Sequence, residues 1–564
     1  MSSNITFVTS WFHIYKDYIV ENKTDEWRIE HFKNILYTGI QLCIYISPEK
    51  YGQIHALSKE YKNLKIMKVM NLEETHTYKY CEKYKEKLPE IRCKEKDTFE
   101  YMVINNCKIE FVSDTIDKNP YKSTHFSWID FNISYIFNDL NKSLNYLKYI
   151  STRNFKNNIF IIPGCYQKKI DIDYSIIKHP CWRFCGGFFI GDKKSIKNFY
   201  NIYYNSLQEF LEKYNCNVWE TNIWAYIEAS KNWNSDWYDA DHNDSILFIP
   251  SEYHVNCLDN KLVKKYYSYP DIFENNKQYL PSSASYIYFQ GKHILNTRFV
   301  NYSYTPEGYY SIRDQYNILH TRNVYSYLDS DTFIPTCYKE MLDSTVELVS
   351  IDRYSHGLED IRLFEYNGKL CFISTNVNYS PNGKNRMLIG EYNINKLSYE
   401  NCRVLEPPTD TYCEKNWIPI VKNNELNFIY SWSPIQIGKL MNDNKTLEII
   451  QTYEIIEPNF RKVRGSSIFI EDGNTLLGIV HFSEEMKPRH YYHMLVRLEK
   501  NTFKPLSYSE PFCFQHYGVE FCIGFTILNN DYVFWVSKKD NDTVMVTIPR
   551  EEILTNNNFT DNHK

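Results

Sequence analysis

The segment Phe126-Ser-Trp-Ile-Asp-Phe-Asn-Ile133 sets a carboxylate at the end of an apolar, aromatic run. Asp130 offers a charged oxygen there, and Asn132 offers a neutral carbonyl oxygen two residues on. Hard oxygens on rigid backbone are what a divalent cation such as Mn2+ or Mg2+ takes. Strand C-terminal ends are also where open α/β sheets hold ligands. The plainer reading is that Asp130 caps a following helix or turn. Three other segments bear on the choice. Cys185-Gly-Gly-Phe-Phe-Ile-Gly191 is a strand-like run whose Gly186 and Gly187 allow close backbone approach to a ligand. Trp219-Glu-Thr-Asn-Ile-Trp224 sets Glu220 among large apolar residues, where a carboxylate needs a reason to sit; a helix-start acid is the ordinary one. Trp237-Tyr-Asp-Ala-Asp-His-Asn243 presents His242 between polar neighbours, as a surface histidine or a ligand.

The elements that must carry these residues alternate in type over the first ~250 residues. Ile5-Thr-Phe-Val-Thr9 reads as an N-terminal strand, and Gln41-Leu-Cys-Ile-Tyr-Ile46 as a buried parallel one. Leu64-Lys-Ile-Met-Lys-Val69 is a further strand. Trp27, Ile29, Phe32, Ile35 and Leu36 follow Thr24 at helical spacing, so Thr24 is the expected cap. Helical patterns return over 99–113, and Ile196, Phe199, Tyr200, Tyr203, Leu207, Phe210 and Leu211 make one apolar helix face. The predicted fold of residues 1–255 is α/β, a mostly parallel sheet with flanking helices.

Beyond residue ~260 helical periodicity gives way to short apolar strands and turn pairs. Glu307-Gly308, Asn367-Gly368, Asn423-Asn424, Asp472-Gly473 and Asn529-Asn530 each separate two apolar strands, at intervals of 49 to 60 residues. Asn, Asp and Gly accept the positive φ of hairpin turns. A period near 50 with about four strands per unit predicts an all-β domain, a five-bladed β-propeller over 285–555. Pro270 and Pro281 mark 256–284 as a linker, and the polar residues 556–564 read as a disordered tail.

Sugar transfer from a nucleotide donor makes matching demands on the first half. The diphosphate leaving group needs its charge offset, usually by a metal, and the acceptor hydroxyl needs a base or an orienting carboxylate. The order of features resembles the GT-A glycosyltransferases: a strand ending in Thr9-Ser10, then Asp130-Phe-Asn132, Gly186-Gly187, Glu220 and His242. More narrowly, residues ~5–250 resemble the HtrL/YibB group through the aromatic-Ile-Asp segment and the preceding Lys108-Ile-Glu-Phe-Val112. The resemblance implies a metal held by Asp130, Asn132 and His242, and a nucleotide sugar contacted by Thr9, Ser10, Gly186 and Gly187. It implies Glu220 near a glycan or glycoprotein acceptor. Asn132 departs from the family's Asp-x-Asp.

In a propeller, residues at the start of each innermost strand converge on one end of the channel. Reading back from the turns gives Arg298 and Asn301, Glu359-Asp360-Ile-Arg362, Lys415-Asn416, Arg464-Gly-Ser466 and Gly518-Val-Glu520. Such groups suit a sugar pocket or a plain solvent rim. His481, His490 and His493 read as surface strand positions, with Arg489-His-Tyr-Tyr-His493 reaching the channel mouth as the alternative. Glu359-Asp-Ile-Arg362 resembles the Glu-Asp-x-Arg motif of five-bladed mannoside phosphorylases and mannosyltransferases. That implies Asp360 as the acid, Arg362, Lys415 and Arg464 as anion or sugar contacts, and Glu520 as a second carboxylate.

Composition narrows the classes. A net charge of −5 with mixed signs gives no basic stripe for nucleic acid. No signal-like N-terminus and no apolar run of ~20 residues is present, so no membrane span is expected. Fifteen scattered cysteines without a Cys-x-x-Cys pair fit reduced thiols in a cytoplasmic setting. Cys181 and Cys185 lack two further ligands at zinc spacing, so no zinc is expected. The expected function is a metal-dependent glycosyltransferase carrying a carbohydrate-active or carbohydrate-binding propeller. The alternatives are a propeller that is the sole catalyst and a non-enzymatic, lectin-like scaffold.

Overall fold

The computed structural model describes residues 4–15, 23–167, 174–231, 233–274, 277–343, 354–455 and 457–559. The chain divides into two compact units, Met1–His254 and Val255–Lys564.

The first unit is α/β. Its strands are β1 (Ile5–Trp11), β2 (Gln41–Ile46), β3 (Leu64–Val69), β4 (His125–Ile129), β5 (Phe160–Gly164), β6 (Phe188–Asp192) and β7 (Asp236–Asp239). They form one seven-stranded sheet in the order β3-β2-β1-β4-β6-β5-β7. β1 pairs parallel with β2 and β4, and β5 with β7, while β6 runs antiparallel to both neighbours. The C-terminal ends of β4, β5 and β7 and the start of β6 therefore share one edge. β2 is buried almost throughout, as a strand covered on both faces must be.

The helices are α1 (Asp25–Tyr37), α2 (Tyr51–Glu60), α3 (His76–Cys81), α4 (Phe99–Asn106), α5 (Lys108–Lys118), α6 (Leu140–Ser151), α7 (Lys193–Tyr214) and α8 (Glu220–Ser230). Thr24 caps α1 as expected, its hydroxyl accepting from the Trp27 N–H at 3.2 Å. The helical pattern over 99–113 is two helices that break at Cys107. On α7 the expected stripe is buried, Tyr200 only partly, and Asp192 caps its start. Two hydrophobic cores fill the unit. One joins β4 to α5, α7 and α8, and the other joins β1 and β2 to α1 and α6.

The second unit is an all-β, propeller-like arrangement of antiparallel sheets. Four of the five expected turns lie within its larger sheets, joining Glu359–Tyr366 to Lys369–Thr375, Ile418–Lys422 to Glu425–Trp432, Ile470–Asp472 to Thr475–Glu484, and Glu520–Leu528 to Asp531–Lys538. Asn367, Asn423, Asn424, Asn529, Asn530, Gly368 and Gly473 all take positive φ there. The unit thus recurs four times at the expected turns, not five. Glu307-Gly308 instead closes a separate ribbon of Tyr302–Tyr304 with Tyr310–Ile312. A Glu-Gly turn between two apolar strands is common to such a ribbon and to a blade, so the turn alone did not tell them apart.

Among the described residues of 256–284, the strands Asn256–Cys257, Val263–Tyr266, Ile272–Glu274 and the start of Lys277–Phe289 stand where a linker was expected. Val263–Tyr266 pairs with Asp542–Pro549 at the end of the chain, so the last sheet is completed by the unit's first residues. Lys277–Phe289 pairs with Lys292–Val300 in a six-stranded sheet. Pro281 sits at an irregularity in that register, where a missing N–H costs little. The tail is likewise ordered up to Phe559. Asn557 and Asn558 pair with Tyr508 and Ser507, and Phe559 packs on Phe460. Residues 560–564 lie outside the described residues.

Candidate functional site

In the first unit a cleft of about 790 Å³ opens at the strand edge between the ends of β1 and β4. Ser10 and Trp11 come from β1; Trp128, Asp130 and Asn132 from β4 and the turn after it; Gly187 from the start of β6. The strand order turns back at the β1–β4 pair, since β2 and β3 lie on one side and the later strands on the other. Open α/β sheets bind ligands in the crevice such a reversal leaves.

Asp130 is held by its backbone and by two side chains. Its N–H donates to the Gly187 carbonyl at 3.0 Å. Its Oδ1 accepts from Trp128 Nε1 at 2.7 Å and lies 3.2 Å from Lys108 Nζ. The carboxylate thus turns to these partners and not to the following turn, which the Asp130 carbonyl closes by accepting from the Ile133 N–H. The side chain stays 44% exposed, facing the cleft.

Lys108 organises the floor. Its ammonium faces three acceptors: Gly186 O at 2.9 Å, Glu220 Oε1 at 2.8 Å and Asp130 Oδ1 at 3.2 Å. Three donors with three acceptors leave a buried charge fully satisfied. Burial pushes Lys108 down, but the Asp130 and Glu220 carboxylates outweigh it and hold the ammonium above its ordinary pKa. Gly186 is required for this packing, because a Cβ there would stand 2.2 Å from Glu220 Oε1. A Cβ on Gly187 would lie 3.4 Å from Asp130 Oδ2.

The other expected residues fall out differently. Ser10 lines the cleft, but Thr9 is fully buried with an unpartnered hydroxyl, because alternate strand residues face opposite sides of the sheet. Glu220 opens α8, is 5% exposed, and holds Lys108 instead of lining the cleft. Asn132 lines the cleft, but its amide is engaged by Arg28: the guanidinium donates to its Oδ1 at 3.0 Å, and its Nδ2 donates to the Arg28 carbonyl at 2.9 Å. His242 lies on the cleft wall, 43% exposed, with Nδ1 3.3 Å from Asp241 Oδ1.

These positions decide how a hard cation fits. Asp130 Oδ2 faces the cleft, whereas Asn132 Oδ1 already accepts from a cation and His242 stands beside Asp241. The donor set matches a cation that arrives with phosphate oxygens and takes one carboxylate from the protein, as Mg2+ commonly does, and not a preformed cage.

Arg28 and Tyr101 escaped the sequence reading, and Lys108 and Trp128 stood in its motifs with no role assigned. Burial lowers the Arg28 pKa and raises that of the Tyr101 phenol, which the nearby Glu220 and Asp130 raise further. Lys108 had a legible signal: with Val112 and Thr115 it falls on a helix face otherwise buried. A lysine on such a face needs a buried partner. At the cleft mouth Trp27 and Tyr135 stand 5.7 Å apart, with Lys23 Nζ 4.5 Å from the Tyr135 ring.

In the second unit most of the expected rim residues do converge. Arg298 Nη1 donates to Asp360 Oδ1 at 2.8 Å, and Ser283 Oγ donates to the same oxygen at 3.1 Å. Arg362 donates to the Asp360 carbonyl, to Asn416 Oδ1 at 2.8 Å and to the Ser466 carbonyl at 2.5 Å. Lys415 Nζ lies 3.3 Å from Glu359 Oε2. Burial pushes Asp360 up, but Arg298, Arg362 and Lys415 outweigh it and hold the carboxyl below its ordinary pKa. Burial lowers Arg362 to about 10, with Asp360 opposing. Lys415, Asn416 and Arg464 line an adjoining pocket of about 290 Å³.

Two expected members stand apart. Glu520 is fully buried and accepts from the N–H groups of Phe514, Gln515 and His516, which makes it the clamp of a loop. Asn301 is buried at the bend after Lys292–Val300, donating to the Ile318 carbonyl and accepting from the His320 N–H. His481, His490 and His493 are buried as well, not surface positions. His481 Nδ1 meets Ser466 Oγ at 2.7 Å, and burial holds its pKa well below the usual value.

Residues 3–240 match the family model described as a bacterial protein of unknown function, HtrL_YibB. No curated protein matches the chain. Among solved structures, a β-1,2-mannobiose phosphorylase from Listeria innocua is 11% identical, covering 50% of this chain and 93% of that one, with a TM-score of 0.37. Two Leishmania mexicana proteins follow: the mannose phosphorylase MPT-4 at 14% identity, 53% and 94% coverage and TM-score 0.33, and the GDP-Man-dependent mannosyltransferase MPT-1 at 13%, 53%, 94% and 0.35. Identities and scores this low bear on neither reaction nor substrate.

Proposed function

We propose that the first unit is a glycosyltransferase that takes its sugar from a nucleotide donor and passes it to a glycan or glycoprotein hydroxyl. The observation that carries this reading is Asp130, a half-exposed carboxylate fixed at the β1–β4 reversal above a buried, fully satisfied lysine. A sheet of the order 3-2-1-4-6-5-7 with β6 reversed supports the GT-A resemblance. The cleft offers aromatic faces for a base at Trp27 and Tyr135, and the Arg28 guanidinium for phosphate charge.

In this reading Asp130 would hold an Mn2+ or Mg2+, which when bound would offset the charge of the diphosphate leaving group. Asn132 would join it only on leaving Arg28. Lys108 keeps Asp130 oriented, and Glu220 keeps Lys108 charged, so Glu220 acts through the floor and not on the acceptor. Gly187, lacking a side chain, leaves room beside Asp130.

A panel of nucleotide sugars with and without Mn2+, read by thermal shift, tests the proposal, since a ligand that binds only the folded state raises Tm by mass action. A stabilising donor that also turns over, with turnover lost in Asp130→Ala, is the expected result. Turnover that survives Asp130→Ala overturns it.

The Asp360 cluster favours a second reading for the second unit. Arg298, Arg362, Lys415 and Arg464 outnumber the carboxylates Asp360, Glu359 and Asp540 by one, a surplus suited to a phosphate or an anionic sugar. That is compatible with mannoside phosphorylase or mannosyltransferase chemistry in this unit. An Asp360 held ionised is a poor proton donor, so the cluster is better read as a binding site. Glycan binding without turnover in both Asp130→Ala and the wild type would leave the lectin-like role.

A further inference from the structure

Three strand ends of the first unit bring two thiols and an imidazole together beside the cleft. Cys165 follows β5, Cys185 precedes β6 and His242 follows β7. Their ligand atoms all lie within 4.8 Å of one another, and among the described residues they are the one such group of His, Cys, Asp or Glu. We propose that Cys165, Cys185 and His242 bind a thiolate-preferring divalent cation of the zinc class, with the fourth position open to the cleft.

Geometry separates this from a disulfide and from a chance meeting. The two Sγ atoms are 3.5 Å apart. Two thiolates on one tetrahedral zinc, each at about 2.3 Å, stand about 3.8 Å apart, whereas a disulfide needs about 2.05 Å. The positions are set by main chain: the Cys185 N–H donates to Pro163 O at 2.8 Å, the Cys165 N–H to Arg183 O at 3.2 Å, and the Ala240 N–H to Gly164 O at 2.9 Å. Asp241 Oδ1 lies 3.3 Å from His242 Nδ1, and a carboxylate at one ring nitrogen fixes the tautomer that offers the other to a metal. Asp241 also sets negative charge near both sulfurs.

Burial raises both thiol pKa values, with Cys185 the deeper. Without a metal the pair stays protonated and unreactive. Each Cys S–H that becomes a ligand gives up its proton, so loading one Zn2+ releases two protons, and affinity rises with pH. The site is soft, whereas Asp130 is hard, so the unit carries two distinct cation preferences at one edge. Three protein ligands and an open position match catalytic zinc centres more than structural ones. A bound ion would also tie β5, β6 and β7 together one residue before Gly186, stiffening the cleft floor.

The test uses the full chain, purified under reducing conditions and titrated with Zn2+ and with Co2+ alone. Expected are about one equivalent bound, a thiolate-to-cobalt charge-transfer band, and affinity weakened by roughly tenfold or more in Cys165→Ser, Cys185→Ser and His242→Ala. His242→Ala removes a surface side chain and keeps the fold intact, so it guards against misfolding of the cysteine variants. Cys181→Ser, a neighbour outside the triad that meets the Tyr166 hydroxyl, should bind like wild type. No charge-transfer band, equal loss in Cys181→Ser, or a Cys165–Cys185 disulfide found by mass spectrometry of the reduced preparation overturns the proposal.

Discussion

Lys108 and Glu220 form an ion pair 2.8 Å long beneath the cleft floor, with side chains only 5% and 7% exposed. The pair joins the first residue of α5 to the first residue of α8 and delivers the ammonium to Asp130. Removing one partner strands a buried charge, at a cost of about 3–5 kcal/mol. Lys108→Ala and Glu220→Ala should therefore each lower unfolding free energy by that order in urea titrations. The paired change Lys108→Met with Glu220→Leu should recover most of the stability and still lack donor-dependent turnover, because Asp130 loses its cation.

Asp130→Asn separates chemistry from folding at the same place. The side chain is nearly half exposed, so Tm should change little. Turnover of the nucleotide sugar should fall roughly 100-fold or more, as when a group that stabilises developing charge is removed. A coupled assay of nucleotide release beside a melting curve reads both.

The two glycines should respond unequally. Gly186→Ala drives a methyl into the Glu220 carboxylate and should cost about 1–3 kcal/mol, as overpacking does. Gly187→Ala meets Ile246 Cδ1 at 3.3 Å and Asp130 Oδ2 at 3.4 Å, so it should fold nearly as well and act on donor affinity. Chemical denaturation and a donor titration distinguish the two outcomes.

In the second unit, Asp360→Asn removes one negative charge from among Arg298, Arg362 and Lys415. Inorganic phosphate should then bind more tightly than to wild type, and Arg464→Ala should weaken it without loss of stability, since Arg464 is exposed. Both effects should shrink at high salt, which calorimetry at two ionic strengths would show.

Asp343 gives a pH signature. Burial raises its carboxyl from 3.8 to about 7. Below pH ~4 the group is protonated in both the folded and the unfolded chain and costs nothing. As pH climbs toward 7 the unfolded chain ionises first, so stability falls, and the loss is complete above the folded value. Asp343→Asn should leave Tm unchanged near pH 4 and raise it above wild type at pH 8.

Much of this was legible in the sequence because it rests on local rules. Thr24, the α7 stripe, the β2 run and the paired Asn and Gly turns each declare themselves within a few residues. Asp130 was readable as a strand-end carboxylate, and the rim residues Arg298, Asp360, Arg362 and Asn416 were readable from their common offset to the turns. What escaped depends on partners far away in the chain. Glu220 looked poised for an acceptor because its partner, Lys108, lies more than a hundred residues earlier. Glu520 looked like a rim acid, yet its carboxylate is consumed by three backbone N–H groups. Thr9 differs from Ser10 only by which face of a strand it takes. Zinc spacing was sought along the chain, whereas Cys165, Cys185 and His242 meet across three strands.

The reversal of β6 sets Gly186 and Gly187 against both Asp130 and Lys108 through main-chain carbonyls. The Asp130 carboxylate is thereby registered to the backbone of the sheet and to Trp128 and Lys108, and not to Trp27, Tyr135 or Tyr101. On the proposed donor reading, changes at Trp27, Tyr135 and Tyr101 should alter which donor is accepted while the geometry at Asp130 stays put. A library confined to those three positions is the natural route to altered donor preference in this scaffold.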